Sequence, residues 1–256
     1  MTVSHTPDRL ELIALLDFPE VNASDFLPEL ILECLRANGI APADDDVLVI
    51  AQKVVSKAEG QSRLLSDVVP SDEALRIGRE VGKDPRIVEL ILRESVSIVR
   101  QAGHLIITEN RLGIVMANAG IDQSNVEDGR VLLLPKHPDA SARAVREHLY
   151  DRCGCDVGVV IADSIGRAWR NGIVGHAIGV AGITALLDLR GAVDRQGRML
   201  RVTEVAIADE IAAAASMLMG QAAEGKPVVL LRGFRHIHGD SGAASLLRSR
   251  ELDLFR

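Results

Sequence analysis

The chain has 256 residues, of which 47% are hydrophobic and only 2% aromatic, so we expect a globular protein whose core consists of aliphatic side chains. So few aromatic faces disfavour single-stranded nucleic-acid binding by base stacking, and a net charge of -7 disfavours binding to duplexes. No apolar run reaches the roughly 18 residues that a membrane-spanning helix needs, and residues 12–16 are too short a run for an export signal. We therefore expect a cytoplasmic protein with no membrane or nucleic-acid partner.

The first part of the chain carries one amphipathic helix and one buried strand. Apolar residues recur at spacings of three and four between Leu27 and Leu35, which predicts a helix over residues 25–38. The nearly continuous apolar segment 46–55 is typical of a strand that is buried on both faces. Polar residues gather after it in segment 56–60, a place where ligand groups often lie.

Two capped helices and three strands follow. Ser71 and Asp72 begin a helix that runs to residue 81, and the pair Asp84-Pro85 begins another that runs to residue 94. The hydrophobic period then changes to two, which predicts strands over residues 97–100, 105–108 and 113–117. The last of these strands leads into a loop that contains Asp122.

The remaining elements alternate between helices and strands. They are a helix over 139–152, a strand over 157–162 that leads into Asp163, a strand over 201–206, a helix over 209–219, a strand over 228–231 and a terminal helix over 243–252. The glycine-rich segment 166–191 permits either a close backbone approach to a neighbour or ligand, or tight strand turns. This order favours an α+β fold with a mixed or antiparallel sheet, flanking helices and two lobes over a doubly wound α/β fold. With no linker in view, residues 1–256 are predicted to form a single catalytic unit.

Two acidic loops carry the clearest chemical pattern. Asp122 is followed by Asn125, and Asp163 is followed by Ser164, Arg167 and Arg170. Carboxylate and hydroxyl oxygens are the ligands that Mg²⁺ and Mn²⁺ prefer, and arginine pairs bind phosphate or carboxylate oxygens. Alternatively, the first loop is an Asx turn and the second a helix cap with surface arginines. The two loops together leave a shared metal and phosphate site and this structural alternative evenly balanced.

Other polar residues have weaker patterns. Lys57 follows the first buried strand, where it is either a solvated lysine or a contact for a phosphate oxygen. His236 and His238 lie on one face of an extended segment and have no evident third ligand, so a metal site there is disfavoured. Neither of the common glycine-rich nucleotide motifs, G-x-x-x-x-G-K-[ST] or G-x-G-x-x-G, occurs in the sequence.

Several segments, taken in order, resemble the coenzyme F-420:L-glutamate (γ-glutamyl) ligase family. The resemblance covers about residues 18–233. Each motif alone is a weak indication of the family, but so many motifs in the same order are highly specific for it. The matching segments are VIAQKVVSKAEG (49–60), KDPR (83–86), VELI (88–91), NAGIDQSNV (118–126), LP (134–135), PDASA (138–142), DSIGRAWR (163–170), AIGVAG (177–182) and ADEIA (208–212).

The resemblance implies a ligase that joins L-glutamate, and then further γ-linked glutamate, to the phospholactyl, or a related, end of a deazaflavin coenzyme precursor. GTP would phosphorylate the acceptor carboxylate to an acyl phosphate, and the amine of L-glutamate would displace the phosphate. The resemblance also implies two divalent ions, Mg²⁺ or Mn²⁺, allows a K⁺ ion, and suggests a homodimer. Some family members carry an additional C-terminal flavin-binding domain, for which this chain is too short, so we expect no reduction of a dehydro precursor on this polypeptide.

The resemblance also implies roles for particular residues. Asp122 and Asp163 match the ligands of a first metal ion, and Ser164 with Gln221 matches those of a second. Lys57 and Asn125 match nucleotide-contacting positions, and the nucleotide-binding edges match residues 18–21, which include Phe18 and Val21, and residues 219–226, which include Met219 and Gly220. Arg167 and Arg170 join Asp122 and Asp163 as candidate catalytic residues on the basis of charge alone.

The sequence departs from the family pattern at a few positions. Ser164 stands where threonine is common and preserves the hydroxyl, whereas Gln52 replaces a small hydroxyl residue and weakens the case for one nucleotide contact. Gln221 offers only a neutral oxygen, so a second metal ion would bind more weakly than the first. Two rival functions remain open at this point. One is a metal-dependent phosphotransferase or nucleotide hydrolase that does not use glutamate, and the other is a non-enzymatic binding module.

Overall fold

The computed structural model describes residues 8–234, 238–239 and 241–253, and in these ranges the fold is α+β, as the sequence predicts. The strands are β1 (Glu11–Ala14), β2 (Val47–Ala51), β3 (Ser62–Leu64), β4 (Ser95–Ala102), β5 (Leu105–Asn110), β6 (Val115–Ala117), β7 (Arg130–Leu132), β8 (Gly158–Arg167), β9 (Arg170–Ala181), β10 (Leu187–Asp188), β11 (Glu204–Val205) and β12 (Val228–Arg232). The α-helices are α1 (Leu27–Ala37), α2 (Gln52–Ala58), α3 (Asp72–Val81), α4 (Pro85–Arg93), α5 (Pro138–Cys153) and α6 (Ile207–Met219).

The main sheet is mixed and has the strand order β1-β12-β2-β8-β9. Strands β2 and β8 run parallel, and the neighbouring pairs run antiparallel. Helices cover both faces, because Leu48 packs with side chains of α1 and α5 while Val49 packs with side chains of α6. Coverage on both faces explains why β2 is a continuous apolar run, and each fully buried Leu, Ile or Val contributes about 1.5–3 kcal/mol of hydrophobic stabilisation.

A smaller lobe lies between β2 and β8 in the sequence and has its own apolar clusters. It contains the antiparallel sheet β4-β5-β6, the antiparallel pair β3-β7 and the helices α3 and α4. Helix α3 begins where the Ser71 hydroxyl accepts a hydrogen bond from the Ala74 N–H, and it ends at Gly82 in the left-handed region. Helix α4 begins at Pro85 after the Asp84 cap. The predicted starts of both helices are confirmed.

The predicted strand over 46–55 is wrong beyond Ala51, because the chain turns there into α2. Two adjacent β-branched residues, Val54 and Val55, favoured a strand by local propensity. In the structure Gln52, Val55 and Ser56 are buried, and their spacing of three and four is that of a helix face packed on the core. Tertiary packing therefore overrides the local β preference.

The strand predicted to end at Ala162 continues through Asp163 to Arg167. It continues because β9 pairs with it along its whole length, so that Asp163 lies opposite His176 and Ser164 opposite Gly175. Asp163 is therefore a strand residue. The predicted second acidic loop is in fact the end of β8, one of the two strands of the β8–β9 hairpin. Pairing with β9 satisfies the backbone hydrogen bonds of β8 whether its side chains are polar or apolar. The polar side chains after Ala162 therefore gave no sign that the strand continues.

Strand β9 forms the middle of the glycine-rich segment, and two of its glycines permit close packing against helices. A Cβ at Gly175 would overlap the carbonyl group of Ala212 in α6, and a Cβ at Gly179 would lie 2.6 Å from the carbonyl carbon of Pro138 in α5.

The predicted terminal helix over 243–252 is wrong: it is replaced by two short 3₁₀ turns, Ala243–Leu246 and Arg250–Leu252, separated by extended backbone at Leu247 and Ser249. The predicted strand over 201–206 is reduced to β11. Among the described helices, none has the length and apolar character needed to cross a bilayer.

Candidate functional site

A cleft of about 400 Å³ opens where the parallel strands β2 and β8 end side by side. Ala51 pairs with Ala162, so the polar residues that follow each strand meet at one edge of the sheet. We call this space the strand-end cleft. The predicted site residues that line it are Phe18, Val21, Lys57, Asn125, Asp163, Ser164, Met219, Gly220 and Gln221, and Gln52 and Lys53 line it as well.

Asp163 lies on the inner wall of this cleft. Burial raises the pKa of Asp163 to about 6, and the negative charge of Asp122 adds to the rise. Hydrogen bonds from the Ser164 backbone and the Gln52 side chain, together with the charge of Lys53, act in the opposite direction. The Gln52 amide is itself held in place, because its oxygen accepts a hydrogen bond from Ser56 Oγ at 2.9 Å. Without a bound cation, the Asp163 carboxylate is therefore poorly compensated.

Asp122 is not part of the cleft wall but lies beside it on the smaller lobe, next to Lys53, which lines the cleft. Its backbone forms an isolated antiparallel bridge with Leu132, and its side chain accepts a hydrogen bond from the Ser124 N–H at 2.7 Å. Lys53 Nζ lies 2.7 Å from Asp122 Oδ2 and also donates to Ser124 Oγ. Burial alone would raise the pKa of Asp122, but the contacts with Lys53 and Ser124 outweigh it and hold that pKa below its ordinary value.

The remaining oxygen donors come from β8 and the end of α6. Ser164 Oγ lies 2.8 Å from Gln221 Oε1. Gln221 follows Gly220, which has a φ of 73° and where a Cβ would overlap the Glu224 side chain, so the turn after α6 requires glycine. The sequence therefore places a neutral hydroxyl and a neutral amide oxygen beside the two carboxylates.

This donor set suits a hard divalent cation. All four groups present oxygen, the preferred ligand of Mg²⁺ and Mn²⁺. The Lys53 ammonium at Asp122 and the raised pKa of Asp163 both indicate a place that favours positive charge. Within the described residues no three His, Cys, Asp or Glu side chains cluster as metal ligands, so such a cation would depend on the two carboxylates together with neutral oxygens.

Lys57 also lines the cleft, and only 20% of its side chain is exposed. Its ammonium pairs with the exposed carboxylate of Glu20. Because the Glu20 side chain is 77% exposed, an anionic ligand can replace it at Lys57 at little cost, and the released carboxylate is hydrated by solvent. Lys226 lines the same cleft, so three lysines in all can meet phosphate oxygens.

Arg167 and Arg170 lie at the tip of the β8–β9 hairpin and are not part of the cleft wall. Arg170 is exposed, and Arg167 Nε is buried with no hydrogen-bond partner among the described residues. Of the histidine pair, His236 lies outside the described residues. His238 lies 3.5 Å from an oxygen of Asp45 and 3.8 Å from one of Asp156, and it does not line the strand-end cleft.

Sequence reasoning considered Gln52 only as a nucleotide contact and missed its hydrogen bond to Asp163, and it missed Lys53, which pairs with Asp122. Both were assigned to a strand rather than to the first turn of α2. The spacing of Lys53 and Lys57 was the available clue, because lysines four residues apart lie on one face of a helix. A helix that begins directly after a buried strand would have placed both ammonium groups at the strand end.

Comparisons with known proteins show which family the sequence matches. The family model described as F420-0:Gamma-glutamyl ligase matches residues 16–233. A protein of Methanothermobacter thermautotrophicus, named coenzyme F420:L-glutamate ligase, is 47% identical over 96% of this chain and 99% of its own length. Proteins with the same name are 46% identical in Methanopyrus kandleri, over 93% of this chain and 94% of theirs, and 40% identical in Archaeoglobus fulgidus, over 97% of each.

Proposed function

The chain belongs to the F420-0:gamma-glutamyl ligase family, and we propose that it joins L-glutamate, and then further γ-linked glutamate, to a deazaflavin coenzyme precursor with GTP as the energy source. The observation that carries the proposal is the strand-end cleft. The Asp163 carboxylate, the Ser164 hydroxyl and the Gln221 amide line it together with three lysines, and the Asp122 carboxylate adjoins it at Lys53. Such a site can gather a triphosphate and a second anion in one place.

The chemistry that we propose has two steps. An oxygen of the acceptor carboxylate attacks the terminal phosphorus of GTP, GDP leaves, and an acyl phosphate forms. The amine nitrogen of L-glutamate then attacks the acyl carbon, inorganic phosphate leaves, and the nitrogen loses a proton as the amide forms. Activation is needed because a free carboxylate is a poor electrophile.

Particular residues have defined tasks in this proposal. Asp122, Asp163, Ser164 and Gln221 would hold Mg²⁺ or Mn²⁺, which supplies charge neutralisation for the phosphoryl oxygens. Lys53 and Lys57 neutralise phosphate charge directly once their present partners are replaced. Asn125, Phe18, Val21, Met219 and Gly220 shape the nucleotide end of the cleft. We assign no step to Arg167 or Arg170, because neither lines the cleft.

A homodimer is part of the same proposal. Large apolar side chains are exposed along the β8–β9 hairpin, including Trp169 at 87% and Ile173 at 51%. A second copy of the chain would cover such a surface. Sedimentation analysis should show a dimer, and Trp169→Glu should shift it towards monomer.

Mass spectrometry of the reaction products tests the ligase. The protein is incubated with the unglutamylated deazaflavin acceptor, L-glutamate, GTP and Mn²⁺, and a parallel sample omits glutamate. We expect glutamate-dependent mass additions, their loss in Asp163→Asn, and their retention in Asp151→Asn, which changes an exposed carboxylate on α5. GTP cleavage without any mass addition would instead favour a phosphotransferase or nucleotide hydrolase.

A further inference from the structure

A second cleft, of about 560 Å³, runs along the outer edge of β9, the last strand of the main sheet. The first turn of α5 and the start of α6 flank this cleft. The β5–β6 turn of the smaller lobe and the 3₁₀ turn Ala243–Leu246 close its other sides. We call it the edge cleft. Its size is that of a pocket for a ligand larger than an amino acid.

The edge cleft adjoins the strand-end cleft through one hairpin. Asp163 lines the strand-end cleft, and its cross-strand partner His176 lines the edge cleft. Along β8, Ser164 lines the strand-end cleft and the next residue, Ile165, lines the edge cleft. Because the Cβ atoms of cross-strand partners lie about 4.5–5.5 Å apart, an elongated molecule in the edge cleft beside His176 has only a short distance to span to Asp163.

The carboxylates in the edge cleft are already engaged. Asp139 Oδ1 accepts hydrogen bonds from the Val180 N–H at 2.7 Å and the Ala243 N–H at 3.1 Å. Asp209 Oδ1 accepts one from the Ala177 N–H at 2.8 Å. These two side chains satisfy the open edge of β9, where N–H groups would otherwise be unpaired. The Oδ1 atoms of both carboxylates are therefore occupied by backbone donors of the fold.

The cations in the edge cleft have no such partners. Lys136 and Arg143 are exposed in this cleft, and neither forms a hydrogen bond or an ion pair within the described part of the chain. His176 uses only Nδ1, which lies 3.0 Å from the Val174 carbonyl oxygen. Arginine presents a fork of donors that matches phosphate oxygens. The free groups of the edge cleft are therefore suited to an anion.

The opposite wall is apolar and held in position. Leu112, Ile114 and Ile165 contribute to it. Asn110 Oδ1 accepts hydrogen bonds from the Leu112 and Ile114 N–H groups, both at 3.0 Å, which fixes the β5–β6 turn. A preformed apolar wall facing two unpaired cations fits a ligand that combines a flat ring system with a phosphate group.

We propose that the edge cleft binds the deazaflavin acceptor, with its ring on the apolar wall and its phosphodiester at Lys136 and Arg143. The inference rests on the proposed function, which supplies the chemical class of the acceptor. The terminal carboxylate of the acceptor then lies near Asp163 on β8. L-glutamate and GTP bind elsewhere, so the three substrates respond differently to changes in this cleft.

Steady-state kinetics and titration calorimetry with the unglutamylated acceptor test the assignment. In the double variant Lys136→Gln/Arg143→Gln, we expect acceptor KM and Kd to rise about tenfold or more, because two charge-assisted contacts are lost. The KM values for GTP and L-glutamate should stay within about twofold. A steric variant, Ala140→Trp, should block the acceptor in the same way, since Ala140 is exposed and lines the cleft.

Two matched controls accompany these variants. Ala144→Trp places the same bulk on an exposed position of α5 outside the cleft, and Arg79→Gln removes an exposed arginine from α3. Both should leave acceptor KM unchanged. Unchanged acceptor binding in the double and steric variants of an active enzyme, or a change confined to GTP or L-glutamate, would overturn the assignment. Wild-type protein that adds no glutamate would instead remove the proposed function itself.

Discussion

The two carboxylates of the strand-end cleft come from different regions and have opposite electrostatic properties. Asp163 belongs to the main sheet, where burial raises its pKa to about 6. Asp122 belongs to a loop of the smaller lobe, where Lys53 and Ser124 overcome burial and lower its pKa. The same residue type in one cleft therefore has two different proton affinities. The difference lies mainly in Lys53, which forms an ion pair and a hydrogen bond with Asp122 but acts on Asp163 only through its charge.

Asp163→Asn should have the largest effect and should separate function from stability. Glutamate addition should fall by more than about 100-fold, because a charged group of the proposed cation site is lost. Metal-free protein should become more stable at pH 7.5, by about 1–3 kcal/mol. The folded-state pKa lies above the ordinary 3.8, so the ionised carboxylate costs stability as the pH rises from about 4 to about 6.

Urea unfolding in the presence of a chelator, at pH 3.5 and pH 7.5, measures this effect. The gain should be present at the higher pH and absent at the lower, where the wild-type carboxyl group is protonated in both states. Asp163→Asn protein that is less stable than wild type at pH 7.5 would show that the Asp163 carboxylate is well compensated without metal.

Lys53→Met tests whether an ammonium group occupies the place of a metal ion. Removing its charge from Asp122 should tighten Mn²⁺ binding about three- to tenfold, because the competing cation is gone. Paramagnetic resonance of free Mn²⁺ gives the affinity directly. Lys57→Met is the matched control, since Lys57 pairs with Glu20 rather than with Asp122. Equal Mn²⁺ affinities in wild type and Lys53→Met would refute the competition.

Asp122→Asn should reverse the sign of the stability change seen at Asp163. Its lowered pKa means that the ionised form stabilises the fold above about pH 4, and that this contribution is lost as the pH falls further. Partial exposure limits the expected loss at pH 7.5 to about 1 kcal/mol. The same chelator-containing urea series should show a destabilised variant, and a stabilised one would contradict the opposition between the two carboxylates.

Glu89→Gln should have the smallest effect and serves as a reference away from the cleft. Glu89 on α4 accepts hydrogen bonds from the Ser71 N–H and hydroxyl and from Arg93, and the Ser71 contacts lower its pKa. We expect a loss of about 1 kcal/mol at pH 7 that vanishes well below pH 4, with unchanged kcat. A change in kcat at full folding would mean that the α3–α4 packing controls the Asp122 loop.

The sequence predicts the α+β class and most elements because caps and apolar periodicity are local properties. Ser71, Asp84 and the apolar run of β2 act through their immediate neighbours, so their elements are found where expected. Gln52 and Asp163 were placed in the wrong kind of element because packing and a distant strand partner decide their conformation. The grouping of Asp122 with Lys53 follows from lobe packing, which no local pattern encodes.

The smaller lobe is also the connection between two parallel strands, β2 and β8. To pair these strands, the chain must bring together the two ends of the segment from Gln52 to Val157, and closing so long a loop costs conformational entropy. We therefore expect the β2–β8 contacts to form late in folding. Lys53, Asp122 and Asp163 lie at the start, within and just beyond this segment. The cleft therefore exists only after closure, so a partly folded chain has no preformed site at which to bind metal or consume nucleotide.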